Sequence, residues 1–190
     1  GDNMKVKVGI SNRHVHLTMD AFKALFKDTK LEVVRELSQH GEFASNLFVN
    51  IKTDKSVIEH VRVVGPIRKY NQVEITKTDA YKLGINPPVR MSGDLEGSET
   101  VTLYTDLGSI TLENSCIIAA RHIHATLLDK ETYHLKDKMK AIIDTEKPGV
   151  IKNVLVKTSD TYTYELHLDT DDANAFMLKN GDIVEIEDDI

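Results

Sequence analysis

With a single cysteine, Cys116, the chain of 190 residues can form no internal disulfide, which excludes a disulfide scaffold and a cysteine-rich structural zinc site. Also missing is any apolar run near the roughly 18 residues of a membrane-spanning helix. Basic residues are not concentrated anywhere. Against 24 lysines and arginines stand 30 aspartates and glutamates, a net charge of −6, which speaks against nucleic-acid or anionic-membrane partners. There is no Walker A loop, no G-x-G-x-x-G turn and no G-x-S-x-G elbow, so the common nucleotide-binding and serine-hydrolase devices are excluded. No signal peptide opens the chain, because Lys5 and Lys7 interrupt the apolar residues after Met4. Gly1, Asp2 and Asn3 ahead of Met4 read as a cloning remnant. These absences describe a soluble protein of a reducing compartment. It is too short for a standard (β/α)₈ barrel of about 250 residues, yet long enough to bury roughly 70% of its unfolded surface without staples.

What the chain does have is alternation. Met4, Val6, Val8 and Ile10 alternate with Lys5, Lys7 and Gly9, the period of two of a strand with one buried face. Similar runs recur at 61–64, 72–75, 100–104, 109–112, 150–157, 162–168 and 183–186, with turns such as Asp106-Leu107-Gly108 between them. Helices are few and short. Thr18 caps one carrying Met19, Phe22, Leu25 and Phe26; Thr78 is expected to cap a second, stopped by Gly84; Thr170 is expected to cap a third through Leu178, stopped near Gly181. The last two share a plan of capped helix, Gly-Asp turn and strand. A second repeat supports the first: Arg13-His14-Val15-His16-Leu17-Thr18 and Arg121-His122-Ile123-His124-Ala125-Thr126 agree at four of six positions. The expected fold is therefore mainly β with short capping helices, built as two similar small β-barrels.

The same repeat carries the chemistry. In a strand, residues i and i+2 face the same way, so His14 and His16 converge, as do His122 and His124, and two such imidazole pairs in matching contexts point to metal. Zinc fits an imidazole and carboxylate donor set best. Leu17-Thr18 follows His16 where metallo-β-lactamase-like hydrolases have Asp-His. Spacing alone leaves the further ligands open. Alternation puts Tyr162, Tyr164, Leu166 and Leu168 on one face and Thr163, Glu165 and His167 on the other, so that on pattern alone His167 reads as solvated. His40, His60 and His134 lack a partner at chelating spacing and read as surface histidines. Arg68, beside the Gly65-Pro66 turn, suits oxyanion recognition through its planar fork, although on pattern alone a solvated charge is the better reading. Cys116, in an apolar Cys116-Ile117-Ile118 run, reads as a packed core thiol.

Four motifs in order extend this reading. Val8-Gly9-Ile10-Ser11-Asn12-Arg13-His14-Val15-His16-Leu17, Gly65-Pro66-Ile67-Arg68 with Gln72-Val73-Glu74-Ile75, Arg90-Met91-Ser92-Gly93-Asp94, and Ala119-Ala120-Arg121-His122-Ile123-His124 resemble the PduL-type phosphate acyltransferases, the phosphate propanoyltransferases, from about residue 6 to the C-terminus. The resemblance implies interconversion of a short-chain acyl-CoA plus phosphate with acyl phosphate plus CoA, and two zinc ions between two β-barrels. It implies that His14, His16 and Glu74 hold one zinc and His122, His124 and His167 the other. It further implies that Arg68 binds phosphate and that Ile10, Ser11, Asn12, Lys55, Arg62 and Asn174 line the CoA site. The family fold implies interleaved domains, residues 1–11 with 120–190 forming one barrel and 12–119 the other. A homodimer is expected on the same ground, and because the first strand starts right after Met4, a free cytoplasmic enzyme rather than a microcompartment-targeted one. The histidine motifs by themselves also suit a dizinc hydrolase of thioesters or phosphoesters, or a non-catalytic metal-binding module.

Overall fold

The structure is a computed structural model and describes residues 4–190; the three residues read above as a remnant lie outside the described residues. Strand β1 (Met4–Ser11) follows its alternation, with Val6 and Val8 buried and Lys5 and Lys7 exposed. After it come β2 (His14–His16) and α1 (Met19–Phe26), capped by Thr18 and burying Ala21, Phe22, Leu25 and Phe26 along one stripe. Strands β3 (Val33–Glu36), β4 (Phe43–Lys52), β5 (Val57–Gly65) and β6 (Gln72–Glu74) lead to α2 (Lys77–Leu83), stopped by left-handed Gly84 at φ 69°. The cap of α2 is Thr76 and not Thr78. Thr76 accepts from the Asp79 N–H and the Asp79 carboxylate accepts from the Thr76 N–H, a reciprocal box that requires the acid three residues after the cap.

Strands β7 (Val89–Arg90), β8 (Glu99–Tyr104), β9 (Ser109–Ala119) and β10 (His122–Ala125) follow, then α3 (Leu127–Thr132), which the sequence reading missed. Thr126 and Asp129 close the same box there, with no buried apolar stripe to announce the helix. The chain ends with β11 (Lys138–Ile143), β12 (Gly149–Thr158), β13 (Glu165–Asp169), α4 (Thr170–Ala175) and β14 (Ile183–Asp188). Here too the cap is shifted: Asp169, the last residue of β13, accepts from the Asp172 N–H, so Thr170 is already inside the helix.

Among the described residues the pairings close two six-stranded rings. One runs β1-β13-β10-β12-β11-β14. The other runs β4-β5-β2-β6-β9-β8 and back to β4, with β3 and β7 attached outside it. Corresponding pairs match in direction: β10 is parallel to β12 and antiparallel to β13, as β2 is to β5 and β6. β13 is parallel to β1, as β6 is to β9. The repeat seen in two short motifs thus extends over each whole barrel. Each ring encloses its own apolar core, Val8, Ile123, Met139, Ile151, Leu166 and Leu168 in the first and Leu25, Ile51, Val73, Leu103 and Cys116 in the second. A fully buried leucine or isoleucine in such a core contributes roughly 1.5–3 kcal/mol. The chain divides into two compact units, the residues up to Asn12 with Ala120–Ile190, and Arg13–Ala119. Among the described residues no helix is long and apolar enough to cross a membrane.

Candidate metal centre

Strand geometry sets the histidines before any tertiary contact does. Val15 and Ile123 turn into their barrel cores, so His14 and His16, and likewise His122 and His124, share the opposite face. The antiparallel neighbour then supplies residues directly across: His14 faces Glu74 and His16 faces Gln72, while His122 faces His167 and His124 faces Glu165. Each barrel thus carries a quartet at the same place on the same two strands.

In the first quartet His14 Nε2 lies 3.6 Å from Glu74 Oε2, and the His14 and His16 rings meet edge-on at 5.0 Å. In the second, the ligand atoms of His122, His124 and His167 all lie within 4.8 Å of one another. The His167 ring stacks on His122 at 5.0 Å and tilts against His124 at 4.4 Å, and Tyr162 stacks on His124 at 3.9 Å. The solvated reading of His167 is therefore wrong: its side chain is 16% exposed, screened by these rings. Tyr162 was also misplaced by the pattern, because the strand starts only at Glu165 and the residues before it leave the alternation.

The electrostatics favour the neutral form of His16, His124 and His167, the state that leaves a nitrogen lone pair for a cation. Burial, followed by the neighbouring His167 and His122, pushes His124 down to about 2; burial lowers His167 to about 4. Burial first, then His14 and Arg68, holds His16 well below the usual imidazole range. His122 Nδ1 sits 2.8 Å from the Ala120 carbonyl, which as a donor pair fixes the tautomer and leaves Nε2 for the cluster. One atom in each quartet stands out. Among the described residues His16 Nδ1 and His124 Nδ1 are buried without a hydrogen-bond partner, a costly state for a polar atom unless an ion satisfies it. The three-histidine donor set and the orphaned nitrogen of His124 fit a metal ion in the second quartet; among the described residues, His14, His16 and Glu74 are not among the groups that cluster in this way.

Arg68 follows the Gly65-Pro66 bond, and its N–H donates to the Leu17 carbonyl at 2.8 Å, tying it to the end of β2. Its guanidinium, 22% exposed, pairs with the carboxylate of Glu42, and Nη1 lies 3.5 Å from the Tyr70 hydroxyl. Gln72 holds the Arg90–Asp94 motif: its Nε2 donates to Ser92 Oγ at 3.1 Å and its Oε1 accepts from the Gly93 N–H at 2.8 Å. Among the residues expected to line a CoA site, Arg62 donates to the Ser45 carbonyl at 2.5 Å and lies over the Phe48 ring. Lys55 packs along Gly84, with Nζ 5.2 Å above the Tyr81 ring. Ile10 donates its N–H to Asn180 Oδ1, Ser11 pairs with Asp169, Asn12 follows the end of β1, and Asn174 is exposed on α4. The first two belong to the unit built on β2 and the other four to the unit built on β10.

Comparison with known proteins gives the family. A model of the family "Phosphate propanoyltransferase" matches residues 7–179. The chain belongs to the phosphate propanoyltransferase family. Proteins of that name include one from Thermotoga maritima, 45% identical over 183 residues that cover 94% of this chain and 87% of the relative. Another, from Lachnoclostridium phytofermentans, is 42% identical over 185 residues, 95% of this chain and 86% of the relative. A third, from Limosilactobacillus reuteri, is 38% identical over 174 residues, 90% and 81% respectively. The phosphate propanoyltransferase family is by its name one of acyltransferases, and the matched span takes in both quartets, Arg68 and Glu42. Glu42, Tyr162 and Glu165 were not singled out as site residues from the sequence. The ion pair with Arg68 reveals Glu42, a ring contact reveals Tyr162, and the cross-strand register reveals Glu165.

Proposed function

We propose that the chain is a phosphate acyltransferase that interconverts a short-chain acyl-CoA plus phosphate with acyl phosphate plus CoA, using two zinc ions. The observation that carries this reading is the repeated quartet, with two orphaned histidine nitrogens, beside an arginine anchored to the same strand. His14, His16 and Glu74 would hold one zinc and His122, His124 and His167 the other. When bound, zinc supplies Lewis-acid stabilisation for the CoA sulfur as thiolate and for negative charge developing on the acyl oxygen. Arg68 takes phosphate: its fork donates two hydrogen bonds to an oxyanion, and the Glu42 carboxylate occupies the edge that phosphate takes over. A phosphate oxygen then bonds to the acyl carbon as the carbon–sulfur bond breaks and the electron pair leaves on sulfur. Holding the nucleophile at a defined place removes much of the entropic barrier. Ile10, Ser11, Asn12, Lys55, Arg62 and Asn174 are assigned to CoA.

The test is thiol release from acetyl-CoA and propanoyl-CoA with and without phosphate. Release that requires phosphate, together with about two zinc equivalents per chain, is the expected result. Phosphate-independent release would make the protein a hydrolase, and no release with either substrate would make it a binding module.

A further inference from the structure

The second quartet contains a carboxylate that the three-histidine reading leaves unused. Glu165 lies directly across from His124 on the face that carries His122 and His167, its side chain is 10% exposed, and its Oε1 is 3.5 Å from His167 Nε2. A buried carboxylate is retained only where a positive charge or strong donors compensate it. The neighbouring strand is built to admit this one. Gly9 of β1 pairs with His167, and a Cβ at Gly9 would stand 2.0 Å from Glu165 Oε1 and 2.5 Å from its Cδ. Gly9 is not among the residues of positive φ, so its lack of a side chain is explained by space and not by backbone conformation.

The other barrel shows what the carboxylate replaces. Its position equivalent to Glu165 is Gln72, an amide, while its carboxylate is Glu74, across from His14; the position equivalent to Gly9 is Ile117. Each quartet therefore carries one acid at a different corner, and the glycine occurs only where the acid needs its space. Among the described residues, the ligand atoms that cluster within 4.8 Å are those of the three histidines and do not include Glu165.

We propose that Glu165 is a positioning residue of the His122–His124–His167 centre, holding the His167 imidazole and supplying the negative charge that three neutral histidines lack when a divalent cation binds. It acts through the histidine and through its charge. This rests on the reading of those histidines as a metal site, and it goes beyond the ligand set itself.

The experiment compares zinc binding by wild type, His167→Ala, Glu165→Gln and Gly9→Ala on the intact chain. Affinity is read by competition with a chromophoric chelator and stability by thermal melting with zinc and in excess chelator. Glu165→Gln keeps the shape and removes the charge, so one zinc equivalent is expected to bind 10- to 100-fold more weakly while the other is unchanged. Its melting temperature should match wild type in chelator and fall below it only with zinc, a difference that a purely structural role would not produce. Gly9→Ala, which displaces the carboxylate without neutralising it, should weaken the same equivalent. Unchanged affinity in Glu165→Gln, with one equivalent lost in His167→Ala, would overturn the role of Glu165 and leave the metal site standing. Absence of zinc from wild type would overturn both.

Discussion

Arg68 and Glu42 set the clearest test at the level of single residues. A guanidinium already paired with a carboxylate is pre-shaped for an oxyanion of the same fork geometry, which a lysine ammonium cannot reproduce. Arg68→Lys is expected to raise the phosphate KM or lower kcat by an order of magnitude or more, with zinc content unchanged. Kinetics at varied phosphate and saturating acyl-CoA read this, and an unaltered phosphate dependence would remove Arg68 from the site. At His167, truncation to alanine should weaken metal binding and cut turnover by orders of magnitude, whereas His60→Ala, on an exposed histidine stacked on Phe48, should do neither. Equal small effects at both positions would return His167 to a bystander. Cys116 is the converse case. Burial, with Glu99 and Asp79 adding to it, pushes the thiol up to about 12, so the thiolate is scarce near pH 8. The folded protein should resist alkylation for hours and react promptly in denaturant, as followed by mass shift.

The capped helices connect sequence signals to the quartets at the scale of whole elements. The N-cap of α2 lies two residues after Glu74 and that of α4 two residues after His167. The third residue of each helix pairs with the arginine that opens the histidine strand, Asp79 with Arg13 at 3.5 Å and Asp172 with Arg121 at 2.9 Å. Each ion pair is partly exposed and worth about 0–1 kcal/mol, so its value is in orientation more than in stability. Because Thr76 and not Thr78 closes the box, Thr76→Ala should cost about 1 kcal/mol in denaturant unfolding, while Thr78→Ala should cost a few tenths at most. Local pattern misread this start by taking the threonine next to the acid, whereas the box needs the acid three residues after its cap, as Asp79 is to Thr76, and the hydrogen bond from the Asp79 N–H shows it closed. It misread α4 in the same way, since Asp169 ends a strand and starts a helix at once. The register relating the two units is accordingly Asp79-Ala80 with Asp172-Ala173, both alanines being buried.

For the whole molecule, two barrels with separate apolar cores imply that folding does not wait for metal. Leu166, Met139 and Ile151 in one core and Leu25, Ile51 and Leu103 in the other are buried whatever the quartets hold. Strong chelator should therefore abolish activity while leaving far-UV circular dichroism near that of the zinc-loaded protein, unlike a zinc finger, which unfolds without its ion. A collapse of the spectrum would show that the quartets are structural. Much of this was readable in the linear chain, for reasons that are local. Period-two alternation puts His14 with His16 and His122 with His124 whatever the strands pair with, and the repeated Arg-His-x-His-x-Thr pattern announces two copies of one unit. The remainder depends on register between segments far apart in the chain. That β1 lies beside β13, that Glu165 stands across from His124, and that Gly9 makes room for it follow from hydrogen-bond ladders that close a ring over more than 150 residues. Alternation could place His167 and Glu165 on the face away from the core but could not tell that histidine rings and Tyr162 cover that face, because burial is a property of what packs there and not of the strand's own period.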